Sequence, residues 1–236
     1  MSRLWFVPSI LVVGLLAVGV IGAFSQLLSP AQGFYLFLAG VLIAALSSVV
    51  LAGASAYASA TGRAWRGTAV RAAIVPVLAF VAVVLPRALE PTPIMNDVTT
   101  DLEDPPAFAR EVAAAPGAAA QDPRPDFTEL QRIAYPDIQP LASSEAPAQS
   151  FQRALEVARE MSNWEVTDAD TGQRLIYAVA TSRIFGFRDD IVIRVRAEGE
   201  GSRIDLRSRS RLGRGDMGAN AARIRTYQER FQAASE

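Results

Sequence analysis

The sequence predicts a membrane-anchored α+β protein, in which three transmembrane helices precede an exported two-layer domain with a four-stranded antiparallel sheet and two helices. The first 89 residues contain three long apolar stretches and five arginines but no acidic residue. The rest of the chain carries 18 arginines and all 24 acidic residues, so its formal charge is −6. Its last part alternates between apolar and polar residues, as strands do, between two stretches of helical periodicity.

The apolar stretches cover residues 4–24, 34–60 and 72–86. A helix needs roughly 20 apolar residues to cross a bilayer, which the first two stretches supply and the third reaches with its flanking residues. We therefore predict a three-helix transmembrane anchor over residues 1–89. The alternative for the first stretch is a cleaved signal peptide, although its apolar run exceeds the roughly 7–15 residues of a signal core.

The arginines of the anchor predict its orientation in the membrane. The loop after the second stretch carries Arg63, Arg66 and Arg71, whereas residues 25–33 carry no charge. Loops rich in Arg stay in the cytoplasm. We therefore expect a bacterial inner-membrane protein with a cytoplasmic N-terminus and a periplasmic C-terminal domain.

The second apolar stretch has a small residue at every fourth position, which predicts a face for close helix packing. Two occupants of this face are considered. Either the first and third helices fill it, or a second copy of the chain or a partner helix does. The residues of this face are Gly40, Ala44, Ser48, Ala52 and Ala56.

Residues 90–143 are predicted to form a Pro-rich acidic connecting arm that is partly ordered, at residues 94–101 and 134–141. Residues 144–236 are predicted to form the α+β periplasmic domain. Its first helix follows Ser144 as N-cap, with Pro147 in the first turn. Strands are expected over residues 164–168, 175–182, 190–197 and 203–210, and the last helix presents Ala221, Ile224, Tyr227 and Phe231 to the core.

Several motifs of the domain are specific in sequence. They are Phe185–Asp190, Asp205–Arg211, and the set Gly213, Asp216, Gly218, Asn220, Arg223 and Ile224. Together with the clusters at residues 97–101, 105–108 and 135–141, they resemble the bacterial domain-of-unknown-function family DUF1499. Arg209 and Arg214 depart from the family pattern, which has smaller polar residues there. The resemblance implies that the ordered clusters of the arm belong to the domain, and it implies no activity.

A predicted hairpin over residues 190–210 places arginines on the sheet face opposite its apolar face. A loop over Gly199–Ser202 sets Arg194 opposite Arg207, and two like charges in that position repel each other. An anion is therefore expected between them. It is either a carboxylate of this chain, from Glu165, Asp168 or the acidic arm, or an anionic ligand or lipid headgroup. The predicted anion ligands are Arg194, Arg207, Arg209 and Arg211.

Other polar residues have expected structural roles. Asp189 and Asp190 point to opposite sides of a strand, which favours internal ion pairing over a metal or acid/base pair. Ser208 and Ser210 are expected as buried hydroxyls, because the chain has no His or Lys to activate them. The turn and the cap before the last helix are expected to use Gly213, Asp216 and Asn220. By the resemblance, Arg223 also has a structural role there.

The composition excludes several kinds of chemistry. The chain has no His, Cys or Lys, so histidine bases, cysteine nucleophiles and zinc sites of His or Cys are excluded. We expect no metal and no cofactor. We also expect no nucleic-acid partner, since neither half of the chain has the sustained basic surface that such binding needs. The leading hypothesis is a non-catalytic envelope protein that binds a protein partner, an anionic ligand or a lipid headgroup. The alternatives are a hydrolase that uses carboxylates alone and an accessory structural subunit of a membrane complex.

Overall fold

The computed structural model describes residues 2–89, 92–108 and 125–234. The chain forms two compact units. The first contains Met1–Pro91 with the short segment Arg183–Gly186, and the second contains Thr92–Ser182 and Phe187–Glu236.

The first unit contains three long apolar helices, as predicted. After a 3₁₀ turn at Ser2–Phe6, the helices are α1 (Val7–Phe24), α2 (Pro30–Ala60) and α3 (Arg66–Leu89). By length and composition, all three are able to cross a membrane. A capping box starts α2: Ser29 accepts a hydrogen bond from the backbone N–H of Gln32, and the Gln32 side chain accepts one from the backbone N–H of Ser29.

Glycines allow α1 and α2 to approach each other closely. A Cβ atom on Gly19 would lie 2.7 Å from the backbone nitrogen of Phe37, and one on Gly33 would lie 2.5 Å from the Cβ of Ala23. These distances leave no room for a side chain at either glycine. Small residues at helix contacts in membranes have this role, because lipid supplies no hydrophobic force to press the helices together.

The small residues spaced by four along α2 do not stay on one face. Gly40 and Ala44 are buried, Ser48 is half-buried, and Ala52 and Ala56 are exposed. Each step of four residues turns about 400° around a helix with 3.6 residues per turn, so the stripe drifts by about 40° per step. Most buried positions instead follow steps of three, four and seven, at Gly33, Gly40, Ala44, Ser47, Leu51 and Ala58, and Val41 is buried beside Gly40.

The second unit contains an antiparallel sheet of six strands, so the prediction of four strands is wrong. The strands are β1 (Asp97–Thr99), β2 (Leu141–Ser143), β3 (Trp164–Asp170), β4 (Leu175–Thr181), β5 (Arg188–Glu198) and β6 (Gly201–Ser210). The order is β1-β6-β5-β4-β3, and β2 pairs with β6 beside β1. The two additional strands come from the predicted connecting arm. Each has only three residues, too few for an alternating pattern to be visible in the sequence.

One face of this sheet forms the core with two helices. Apolar residues of β5 and β6, among them Ile193 and Leu206, cluster with helices α5 (Pro147–Glu160) and α6 (Ala219–Ala233). The ring of Tyr227 stacks on Trp164 at 5.7 Å, and its hydroxyl donates to the carbonyl of Ala154. The N-cap of α5 is Ala146 rather than the predicted Ser144.

The short helix α4 (Pro125–Ala134) completes the open edge of β1. Gln131 is buried, and its side chain accepts a hydrogen bond from the backbone N–H of Thr99 and donates one to the carbonyl of the same residue. This amide therefore takes the place of a neighbouring strand and satisfies the backbone groups that an edge would expose.

The close contact of α1 and α2 predicts that Gly19→Ile destabilises the anchor. An added side chain has to push the two backbones apart, and overpacking of this kind costs about 1–3 kcal/mol. Gly53→Ile is the matched control, since no atom lies within 4 Å of a Cβ at Gly53. Thermal unfolding of the detergent-solubilised protein measures both. Equal melting temperatures of the two variants would contradict this packing.

Candidate functional site

The hairpin of β5 and β6 sets the positions of the arginines, and its register differs from the prediction by two residues. Glu198 pairs with Gly201, so the turn has only two residues and starts at Gly199, whose φ is 59°. Glycine at the first position suits such a tight turn. Arg194 therefore lies opposite Asp205 rather than opposite Arg207. A shift of two residues preserves the faces, so the arginines still lie away from the core.

Arg207 forms a buried ion pair with Asp97 on this second face. Its Nε and Nη2 atoms donate to the two carboxylate oxygens of Asp97 at 3.0 and 2.7 Å, and Nη1 donates to the carbonyl of Pro106. Arg207 is 1% exposed and Asp97 6%. The pairing of β1 with β6 brings the two together, since it sets Thr99 opposite Arg207 and Asp97, two residues away on the same face, opposite Arg209. The bidentate geometry is the strong form of this interaction.

Phe108 covers the two buried arginines. The guanidinium carbon of Arg207 lies 4.8 Å from the centre of the Phe108 ring, and that of Arg209 lies 4.4 Å from it. Burial lowers the pKa of Arg209, and the charge of Asp97 opposes that effect. An arginine keeps its proton in any case. The ring of Phe108 and the carboxylate of Asp97 therefore stabilise the positive charge of Arg209, a residue that is only 2% exposed.

A cluster of charges surrounds Asp205, which is fully buried. Its carboxylate contacts Arg194 at 3.1 Å, Arg196 at 2.8 Å and Arg203 at 2.8 Å. Asp101 contacts the same three arginines, at 3.4, 2.9 and 2.9 Å respectively. Burial raises the pKa of Asp101, but the backbone N–H of Asp104 and the guanidinium of Arg203 outweigh it, so the pKa lies below the usual range. The two carboxylates thus hold three guanidinium groups in fixed positions.

The remaining predicted structural residues form a polar network beside the core. Arg223 donates to the carboxylate of Asp189 at 2.6 Å and to the hydroxyl of Ser208 at 2.9 Å. The buried Asn220 accepts from Ser208 and donates to Ser210. On the other side of the strand, Asp190 binds Arg211. Asp189 and Asp190 thus each form an ion pair with a different arginine of the chain.

The turn before α6 uses the predicted glycines and Asp216. The carboxylate of Asp216 accepts from the backbone N–H groups of Gly218 and Asn220, and so caps the helix. Burial raises its pKa, against the effect of these hydrogen bonds. Gly213 and Gly218 have φ of 83° and 81°, a conformation that favours glycine.

A polar cleft of about 280 Å³ opens beside the Asp101 cluster. Its walls include Thr100, Asp101, Glu103, Arg132, Gln139 and Arg203. Arg132 is more than half exposed and lies 3.3 Å from Glu103. The cleft therefore presents the exposed guanidinium of Arg132, the guanidinium of Arg203 that Asp101 and Asp205 bind, and the carboxylates of Asp101 and Glu103. A larger, open depression of about 540 Å³ lies along α5, and neither Arg132 nor Arg203 lines it.

The four predicted anion ligands all contact groups of the chain itself. Arg194 and Arg211 are paired with aspartates, Arg207 with Asp97, and Arg209 lies on Phe108. The acidic arm was predicted as one possible source of the counter-charge. The sequence did not predict which of its residues supply it. In the part of the chain that the structure describes, no cluster of three or more acidic residues is arranged to hold a metal ion.

The buried pair predicts a large cost for Arg207→Met, because the charge of Asp97 is then left buried without its guanidinium. Breaking a buried pair costs about 3–5 kcal/mol. The matched control is Arg225→Met, which removes an exposed pair with Asp137 and should cost about 0–1 kcal/mol. Urea unfolding of the second unit in the detergent-solubilised protein measures both free energies.

The double variant Asp97→Leu/Arg207→Met should regain much of the loss, because no unpaired buried charge remains. If Arg207→Met costs no more than Arg225→Met, the buried pair does not stabilise the fold in the way described.

A comparison with protein families gives a match on this part of the chain. The family model described as "Protein of unknown function (DUF1499)" matches residues 97–231. No curated protein matches the chain. The matched range begins at Asp97 in β1 and ends at Phe231 in α6, so it includes the buried pair, the Asp101 cluster and the network around Asn220. Because this range is more than half of the 236 residues, the chain belongs to the DUF1499 family.

Proposed function

We propose that the protein is a non-catalytic component of the bacterial envelope, anchored in the inner membrane, whose periplasmic domain binds a protein partner at the polar cleft. The observation that carries this proposal is the internal neutralisation of the buried charges. The cleft lies beside these paired charges. It therefore offers hydrogen-bond donors and acceptors to a protein partner, and it has no reactive group.

The pairing of the aspartates supports a non-catalytic role. A glycoside hydrolase, for example, needs two carboxylates about 5–9.5 Å apart that are available to a substrate and a water. Asp97, Asp189, Asp190 and Asp205 are instead bound to arginines and almost fully buried, while Asp216 caps a helix. This arrangement gives the carboxylate hydrolase no support.

The charges of the loops support the proposed orientation. Arg63 precedes α3 and Arg66 begins it, whereas Ser25–Ser29 between α1 and α2 has no charge. The positive-inside rule then assigns the α2–α3 loop to the cytoplasm and the residues after α3 to the periplasm.

The chemistry of the cleft supports a protein partner over a small anion. An external anion at Arg194 or Arg207 would have to displace a carboxylate that already makes charge-assisted hydrogen bonds. The cleft has both signs of charge and is smaller than most pockets for small molecules, which span about 300–1,000 Å³. Mixed charges of this kind are typical of the polar rim of a protein interface.

A single cysteine at the cleft tests the location and the partner together, since the chain has no native cysteine. Glu103→Cys places the thiol at the cleft, and Glu165→Cys places it on the exposed far edge strand β3 as the matched control. Spheroplasts are treated with a membrane-impermeant maleimide that carries a benzophenone, and then irradiated. We expect both cysteines to be labelled and only Glu103→Cys to crosslink to another protein, an effect that Arg132→Ala reduces.

Labelling only after the membrane is permeabilised would contradict the periplasmic location. Equal crosslinking from both positions, or none from either, would contradict binding at the cleft. Protection of Glu103→Cys from labelling by inorganic phosphate would favour an anionic ligand instead. A crosslinked partner that is itself an integral membrane protein would favour the accessory-subunit alternative, for which the exposed Ala52 and Ala56 of α2 provide a helix face.

A further inference from the structure

Exposed apolar side chains of the second unit gather at one place. Among its described residues, four large apolar side chains are exposed: Ile94, Ile133, Leu212 and Met217. Three of the four lie on two segments that pack against each other. The backbone N–H of Asp216 donates to the carbonyl of Met95, and the side chain of Asn96 donates to the carbonyl of Gly213. The segments that carry Ile94, Leu212 and Met217 therefore lie side by side, whereas Ile133 lies on α4.

Two exposed arginines join this apolar group. Arg214 lies within the same turn, and the backbone carbonyl of Arg188 accepts a hydrogen bond from the backbone N–H of Arg211 at the start of that turn. Neither Arg188 nor Arg214 makes an ion pair with any residue that the structure describes. The nearby carboxylates are occupied, since Asp190 binds Arg211. We name this surface the apolar–basic rim: Ile94, Arg188, Leu212, Arg214 and Met217.

The covalent chain limits how far this rim is from the bilayer. Leu89 is the last residue of α3, which is able to span a membrane, and only five residue steps separate it from Ile94. A fully extended chain covers at most about 3.6 Å per residue, so Ile94 stays within about 18 Å of the end of α3. The length of the chain therefore keeps Ile94 near the end of α3.

We propose that the apolar–basic rim is a membrane-contact surface, in which Ile94, Leu212 and Met217 enter the headgroup region and Arg188 and Arg214 bind anionic lipid phosphates. Apolar side chains flanked by basic ones are the combination that the interface of an anionic bilayer takes up. The long side chain of arginine can keep its charge among the headgroups while its stem lies along apolar surface. This contact would hold the domain against the bilayer and leave the cleft free for its partner.

Spin labels on the full-length chain in nanodiscs test the contact. The labels are attached to Leu212→Cys at the rim and to Ile133→Cys as the matched control, because both replace an exposed apolar residue in the second unit. Collision rates with oxygen and with a water-soluble nickel chelate report immersion in lipid or in water. In nanodiscs that contain phosphatidylglycerol, we expect the Leu212→Cys label to favour oxygen and the Ile133→Cys label to favour nickel.

A second arm tests the role of the arginines. The change Arg188→Gln/Arg214→Gln should lower the equilibrium constant for immersion of the Leu212→Cys label by roughly fivefold per arginine in phosphatidylglycerol, and by much less in phosphatidylcholine alone. Nickel accessibility at both labels would overturn the proposal, as would equal immersion of both. Spin–spin broadening between copies, or exclusion of both reagents from Leu212→Cys, would show a protein contact at the rim and would also overturn it.

Discussion

The guanidinium of Arg207 is buried on the sheet face opposite α5 and α6, where it donates two hydrogen bonds to the carboxylate of Asp97, which balances its charge. An unpaired charge at that depth would cost several kcal/mol, so the sheet can carry this residue only if the pair forms. Asp97 precedes Arg207 by 110 residues. The segment before the predicted domain is therefore a condition for folding the hairpin, because it supplies the counter-charge for a strand near the end of the chain.

The same dependence extends to the neighbours of this pair. Asp101 joins Asp205 in holding three arginines, and Phe108 covers the arginines further along β6. Each of these contacts ties residues 97–108 to β5 or β6. The carboxylates of this cluster are therefore occupied by arginines of the same chain. The family match begins at Asp97, in agreement with a domain that includes this segment.

The sequence was sufficient to predict those parts of the fold in which buried residues repeat at a regular spacing. The apolar helices, the alternation of Ile191, Ile193 and Val195, and the helical spacing around Phe151 are visible because burial repeats along many residues. The three-residue strands β1 and β2 are too short for such a signal. The hairpin register could not be predicted in this way, because it depends on the length of one turn. A shift of two residues leaves every side chain on the same face of the sheet. Partners such as Asp97 are set by long-range pairing, which no local pattern encodes.

Hydrogen exchange of the backbone amides tests most directly whether residues 97–101 belong to the folded domain. The amide of Thr100 donates to the carbonyl of Leu206, and that of Ser210 donates to the carbonyl of Asn96. If the segment and the hairpin form one cooperative unit, the amides of Thr99 and Thr100 exchange as slowly as that of Ile193 in β5. Exchange of Thr99 and Thr100 at the rate of an exposed turn such as Glu200, while Ile193 stays protected, would contradict the account.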